Sequence, residues 1–254
     1  MNNSPIGVFD SGMGGLSVWR ELRKTLPAES IVYYGDGAHC PYGEKPAAEV
    51  ATYIDCAVRE LLAAGAKLIV LACNTATMIA VKRLRATYPV PFVGMEPAIK
   101  PAAATTQSGV IGVLATRASI GSDWFGELSG KYAAGVRIIP AVGEGFVEAV
   151  ERGEERTPAT RLLIRNAVRP LAEAGADRIV LGCTHYPFLA EAIAAEAGPG
   201  IEVIDPAPAI ARRVASLLDR YALQADETHR ACYTFLSAAG TPYADRLRER
   251  ASRL

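Results

Sequence analysis

The sequence predicts an α/β protein made of two homologous domains with mainly parallel sheets, related by a pseudo-twofold duplication. Three observations carry that expectation. An eleven-residue stretch occurs twice, as Gly65-Ala66-Lys67-Leu68-Ile69-Val70-Leu71-Ala72-Cys73-Asn74-Thr75 and as Gly175-Ala176-Asp177-Arg178-Ile179-Val180-Leu181-Gly182-Cys183-Thr184-His185, with six identical positions. Three pairs of segments keep one order and nearly one spacing, since Ile6 and Ile111, Cys73 and Cys183, and Glu96 and Asp205 are offset by 105, 110 and 109 residues. Apolar, β-branched runs alternate with amphipathic helical patterns along the chain, as in parallel sheets joined by helical crossovers. The period is far too long for a solenoid.

Taken in order, Ile6 to Phe9 reads as the first strand, followed by Asp10-Ser11-Gly12-Met13-Gly14-Gly15 and an amphipathic helix from Leu16 to Leu26. Glycines let such a turn bend sharply, and the unpaired N–H groups opening the helix favour a carboxylate or phosphate. Asp10 and Ser11 stand at its rim. Together with Asp36 after the next strand, the turn imitates a dinucleotide-binding fingerprint. It departs from one where Ser17 replaces the third glycine and where Asp10 would set a charge beside a pyrophosphate. A nucleotide-binding protein using the Gly12–Gly15 turn is the rival reading from a different functional class.

Ile31 to Gly35 is the second strand, and the loop Asp36 to Gly43 follows its C-terminal end. Its Pro41-Tyr42-Gly43 turn either presents backbone N–H groups and a phenol to a ligand or is simply a rigid connection. His39 and Cys40 read as a loop polar group and a small packed hydrophobe. A helix over Ala47 to Ala64, the cysteine strand Leu68 to Ala72 and a helix over Thr75 to Tyr88 come next, and Pro89 and Pro91 end the last before Phe92-Val93-Gly94. The second unit has strands at Val110 to Leu114, Val136 to Pro140, Arg178 to Leu181 and Glu202 to Ile204, with helices between them that include Gly143 to Arg152 and Arg156 to Ala174. Ala209 to Tyr221 is a helix, Ala231 to Leu236 a strand, and a charged helix starts at Thr241. Its Arg246, Arg248, Arg250 and Arg253 alternate with Asp245 and Glu249, as on a solvated face.

Composition narrows the function. Lys+Arg and Asp+Glu both number 27 in 254 residues, so no broad basic field exists for nucleic acid or an anionic membrane, and a small, locally recognised ligand is expected. No apolar run reaches the roughly 20 residues of a membrane span, and the N-terminus has no secretory pattern, so the expected location is the cytoplasm. The five cysteines are odd in number and scattered, without Cys-x-x-Cys, which argues for reduced thiols rather than a disulfide framework.

The chemistry centres on Cys73 and Cys183. Each closes a buried strand at the edge where α/β sheets bind ligands, and each is expected to open a helix whose dipole favours its thiolate. Free cysteines are often buried and inert, and Asn74, Thr75 and Thr184 are residue types that also cap helices. Both copies nevertheless keep the cysteine while the following residues diverge, so packing alone does not account for what the halves share. Two thiols approaching one carbon from opposite sides suit removal of a proton on one face and its return on the other, which is racemisation.

These residues resemble the glutamate racemases, within the cofactor-independent aspartate/glutamate racemase superfamily. The matching segments are Phe9-Asp10-Ser11-Gly12-Met13-Gly14-Gly15, Pro41-Tyr42-Gly43, Cys73-Asn74-Thr75-Ala76, Met95-Glu96-Pro97-Ala98 and Gly182-Cys183-Thr184-His185-Tyr186-Pro187, which span almost the whole chain. The resemblance implies domains at 1–97 plus 208–254 and at 98–207, clasping glutamate in the cleft between them. It implies no cofactor and no metal, and a role in supplying D-glutamate for peptidoglycan. It further implies that Cys73 and Cys183 are the acid/base thiols, the first acting on D- and the second on L-glutamate. Asp10 would assist Cys73, His185 would assist Cys183, and Glu151 would be a second helper on that side, with Glu148 as the alternative. Ser11, the Pro41-Tyr42-Gly43 turn, Asn74, Thr75 and Thr184, together with Asp10 and His185, would hold the substrate. Gly37, Pro46 and Pro206 depart from the family pattern without removing a catalytic group. No N-terminal extension of the kind seen in activator-dependent relatives is present, so activator dependence is not expected. A homodimer is compatible with all of this.

An aspartate racemase, or another amino-acid racemase of the superfamily, is the neighbouring alternative, because one methylene discriminates by only about 1–3 kcal/mol. A metal protein using Cys73, Cys183 and His185 is the other. Two ligands only two residues apart at a strand end suit one tetrahedral ion poorly.

Overall fold

The computed structural model describes the backbone at 1–132 and 135–254, and the side chains of these residues apart from Trp124, Leu128, Ser129, Lys131 and Tyr132. Two compact units emerge, Met1–Met95 with Ala207–Leu254 and Glu96–Pro206.

The first unit opens with β1 (Ile6–Asp10), α1 (Leu16–Thr25) and β2 (Ile31–Gly35), then α2 (Ala47–Ala63), β3 (Leu68–Leu71), α3 (Asn74–Thr87) and β4 (Phe92–Gly94). β1, β2 and β3 are buried at every position, which their unbroken apolar runs require of parallel strands covered on both faces. On one face of this sheet Phe9, Val32, Ile69 and Leu71 pack with Ile54, Val58 and Leu61 of α2 and with Ala76 and Ala80 of α3. Burying such a Leu or Ile side chain contributes about 1.5–3 kcal/mol.

The second unit contains α4 (Ile99–Thr105), β5 (Val110–Ala115), α5 (Arg117–Ile120), α6 (Asp123–Tyr132), β6 (Arg137–Val142), α7 (Phe146–Arg152), α8 (Pro158–Glu173), β7 (Arg178–Leu181), α9 (Ala190–Ala197) and β8 (Glu202–Ile204). The chain then returns to the first unit as α10 (Ala207–Arg220), β9 (Tyr233–Leu236) and α11 (Thr241–Ser252). β9 pairs in parallel with β2.

The duplication read in the sequence is a duplication of topology. Among the described residues all strand pairings are parallel, and the sheet orders are β4-β3-β1-β2-β9 and β6-β5-β7-β8. Reading the first backwards gives β2-β1-β3-β4 beside β6-β5-β7-β8, the same arrangement with β9 added at one edge. The shared Gly-Ala has a local cause. Gly65 and Gly175 take φ of +83° and +86°, a left-handed conformation that only glycine adopts without penalty. At both, the helix closes with the same bond pair, Gly65 to Leu62 O with Ala66 to Leu61 O, and Gly175 to Ala172 O with Ala176 to Leu171 O. This is the Schellman ending, and it feeds both cysteine strands into their sheets in the same way.

Candidate active site

Both thiols sit two residues beyond the end of a strand, Cys73 after Leu71 and Cys183 after Leu181. Ala72 N–H donates to Phe9 O at 2.8 Å, and Gly182 N–H donates to Leu114 O at 2.6 Å. In the first unit Phe9 faces Leu71, so Asp10, which ends β1, neighbours the strand that runs into Cys73. Asp10 is fully buried, and its Oδ2 accepts the Gly12 N–H at 3.0 Å. A Cβ on Gly15 would stand 2.6 Å from the Asp10 Cβ, and the Tyr33 hydroxyl donates to Gly12 O at 2.8 Å. The glycine-rich turn is therefore wrapped around the carboxylate of Asp10, and its Gly12 N–H is committed there. That opposes the phosphate-cradle reading. Ser11 is buried beside it.

Cys73 is buried and forms the N-cap of α3, with φ −72° and ψ 124°, and its carbonyl accepts the Thr77 N–H at 3.0 Å. The positive end of the helix dipole thus lies at its thiol and favours the thiolate. Asn74 and Thr75 are buried in the first turn, and neither atom of the Asn74 carboxamide has a hydrogen-bond partner among the described residues. An unsatisfied buried amide costs about 1–3 kcal/mol, so this group is poised to accept and donate to a polar ligand.

The Tyr42 phenol is engaged within the protein. It is buried and donates to Asp36 Oδ2 at 2.6 Å, while His39 Nδ1 meets Asp36 Oδ1 at 2.8 Å. Burial, then the charge and hydrogen bond of Asp36, push the phenol well above its ordinary range. What the Pro41-Tyr42-Gly43 turn can offer a ligand is its backbone, with Tyr42 and Gly43 in a single 3₁₀ turn and Pro41 and Gly43 half-buried. In the sequence Asp36 stands out only as part of the imitated dinucleotide-binding fingerprint, and its role as this anchor is not read there. Its signal was an acidic residue just past a buried strand with His and Tyr three and six positions on.

Cys183, Thr184 and His185 are all buried at the end of β7. The expectation that both cysteines open helices holds for Cys73 only. After Cys183 comes a 3₁₀ turn, Tyr186–Leu189, and α9 begins at Ala190. Pro187, which has no N–H to give, sits at the start of that turn. The thiol gains an imidazole in place of a helix end. His185 Nδ1 lies 3.8 Å from Cys183 Sγ, and His185 Nε2 lies 2.7 Å from Glu151 Oε1, in the last turn of α7. With Glu151 ionised, Nε2 carries the proton and Nδ1 turns its lone pair to the thiol, so a proton can pass between sulfur and imidazole. Glu148, one turn earlier, acts instead on Tyr186. Burial, then the negative charges of Cys183, Glu148 and Glu144, raise that phenol far above its ordinary range.

The two halves thus differ in chemistry despite their shared topology. By register, the counterpart of Asp10 is Ala115, at the end of β5. A carboxylate ends the strand beside the one that runs into Cys73, and an imidazole two residues downstream of Cys183, hydrogen-bonded to Glu151, lies beside the other thiol.

Comparison with known proteins gives the family and the fold. A model of the Asp/Glu/hydantoin racemase family matches residues 6–214. A glutamate racemase of Herpetosiphon aurantiacus is 44% identical over 249 residues, covering 98% of this chain and 98% of that protein. The crystal structure of a glutamate racemase from Bacillus anthracis matches with a TM-score of 0.88 at 30% identity, covering 100% of this chain and 96% of the other. The Escherichia coli glutamate racemase, in complex with L-glutamate and the activator UDP-MurNAc-Ala, matches with a TM-score of 0.87 at 34% identity, over 98% and 94% of the two chains. On these matches the chain belongs to the Asp/Glu/hydantoin racemase family.

Proposed function

We propose that the protein interconverts L- and D-glutamate by a two-base mechanism that uses Cys73 and Cys183, without a cofactor. The observation that carries this reading is the equivalence of the two thiols, each just past a central strand of one of two like-wound sheets and each near a different acid/base group. A thiolate removes the α-proton on one face, and the opposing thiol returns one on the other. The reaction requires both to address the same carbon. The α-carbon is a weak acid, so the developing carbanion needs preorganised donors; Asn74, Thr75 and Thr184 are the buried polar groups placed at the two thiols to supply them. Ser11 and the backbone of Tyr42 and Gly43 complete the groups proposed to hold substrate. Asp10 serves Cys73, and His185 with Glu151 serves Cys183.

The relatives are named for glutamate, and we place the reaction in the cytoplasm as a source of D-glutamate for peptidoglycan. Among the described residues no helix is long and apolar enough to cross a membrane, and no disulfide joins any two of the five cysteines. The test is to incubate the purified protein, with no added cofactor, with L-glutamate and separately with L-aspartate in deuterated water, following optical rotation and α-proton exchange. Exchange on glutamate is expected. Exchange on aspartate alone would reassign the substrate, and exchange on neither would end the racemase reading.

A further inference from the structure

We propose that Tyr243, in the C-terminal helix α11, is a positioning residue for the substrate-binding turn. Two glycines flank Asp36, and α11 fills the side-chain space of both. A Cβ on Gly37 would lie 2.4, 2.4 and 2.6 Å from three ring atoms of Tyr243, and a Cβ on Gly35 would lie 2.8 Å from Leu247 Cδ1. Tyr243 and Leu247 are buried and four residues apart, so they project from one face of the helix onto the backbone on either side of Asp36. Gly37 is absent from the positive-φ glycines, so it serves for space and not for conformation. Any larger residue there meets the ring.

The consequence runs outward through Asp36. Its N–H donates to Asp10 O at 3.0 Å, and its carboxylate accepts the Tyr42 hydroxyl at 2.6 Å and the His39 ring at 2.8 Å. A ring pressed on the backbone at 37 thus fixes Asp36, and Asp36 fixes Tyr42 and with it the Pro41–Gly43 turn. The Arg246 guanidinium lies 5.5 Å from the centre of the Tyr243 ring and helps hold it in place. The functional part of this inference rests on the racemase reading above. The positional part does not.

The experiment compares wild type with Tyr243→Ala, Gly37→Ala and the double variant by amide hydrogen exchange over residues 38–44, thermal melting, and KM and kcat for glutamate. Gly37→Ala is expected to drive a methyl into the ring, raise exchange in that segment about tenfold, and raise KM about tenfold with kcat within about twofold. Tyr243→Ala is expected to act in the same direction by removing the support. The double variant is expected to lie closer to wild type than Gly37→Ala does, because the methyl then has room and the two effects are not additive. A Gly37→Ala protein with wild-type exchange and KM would overturn the proposal, as would a double variant no better than Gly37→Ala. If Tyr243→Ala melts as a whole, the Gly37→Ala comparison still decides. If the exchange pattern appears in a protein that racemises no glutamate, the functional reading fails and the positioning role stands.

Discussion

The carboxylate of Glu151 meets Nε2 of His185 at 2.7 Å, although the two residues are 34 positions apart and lie on different elements. Such a contact selects one tautomer and orients the ring, so that its other nitrogen faces the thiol of Cys183.

Removing that orientation should slow chemistry more than it weakens binding. Glu151→Gln is expected to lower kcat by about tenfold to a hundredfold with little change in KM, and His185→Asn by roughly 10² to 10⁴-fold, the usual worth of an acid/base partner. Asp10→Asn should behave like His185→Asn. Steady-state kinetics in both directions check this, and a variant that raises KM alone would mark its residue as a binding group.

Two bases on opposite faces imply two separable half-reactions. Cys73→Ala and Cys183→Ala are each expected to abolish racemisation in both directions. Elimination from a glutamate analogue with a β leaving group needs only one deprotonation. The Cys73→Ala protein should therefore still process the analogue of L configuration, and the Cys183→Ala protein the D. Assaying the released group from both hands tests this, and one variant eliminating both hands as fast as wild type would contradict it.

Glu29 and Lys67 form a buried pair that holds the first unit together away from the thiols. Oε2 of Glu29 makes no well-angled hydrogen bond, yet it lies 2.6 Å from Lys67 Nζ, with the side chains 4% and 2% exposed. Glu29 Oε1 also accepts the Ala225 N–H at 2.8 Å, and Lys67 donates to Asn2 O. Lys67→Met leaves a buried carboxylate without its partner and should cost about 3–5 kcal/mol. Replacing both partners by apolar residues should cost less. Urea titration measures the difference, and equal losses would show that the charge is not what matters.

Asp177 is expected to make the second unit sensitive to acid. Its burial would raise its pKa, but the hydroxyl of Thr106 and the N–H groups of Gln107 and Ser108 outweigh that and hold it at about 2, below the ordinary 3.8. A lowered folded pKa stabilises fully above the unfolded value. Its contribution is lost as pH falls from about 4 towards 2. Asp177→Asn should therefore lower the melting temperature at neutral pH and flatten its dependence on pH over that window. An unchanged slope would place the acid sensitivity elsewhere.

Much of this was legible without coordinates, because its causes are local. The Gly-Ala ending of two helices, the unbroken apolar strands and the repeated cysteine follow from backbone sterics and burial, which act over a few residues and leave periodic traces. They determined the α/β class, the duplication and the two thiols. The strand starts and most helix limits lie within a few residues of those observed, whereas the 3₁₀ turn after Cys183 is not read from the sequence, because the duplication suggests a second helix where Pro187 has no N–H for the Cys183 carbonyl. Only tertiary structure brings Glu151, rather than Glu148, to His185, since both lie on α7 and the packing of that helix against the 3₁₀ turn after Cys183 decides which carboxylate reaches the ring. It alone assigned the Tyr42 phenol to Asp36 and set Tyr243 against Gly37, 206 positions earlier in the chain. Contacts of that range depend on how sheets and helices close in space, and a one-dimensional pattern carries no term for them.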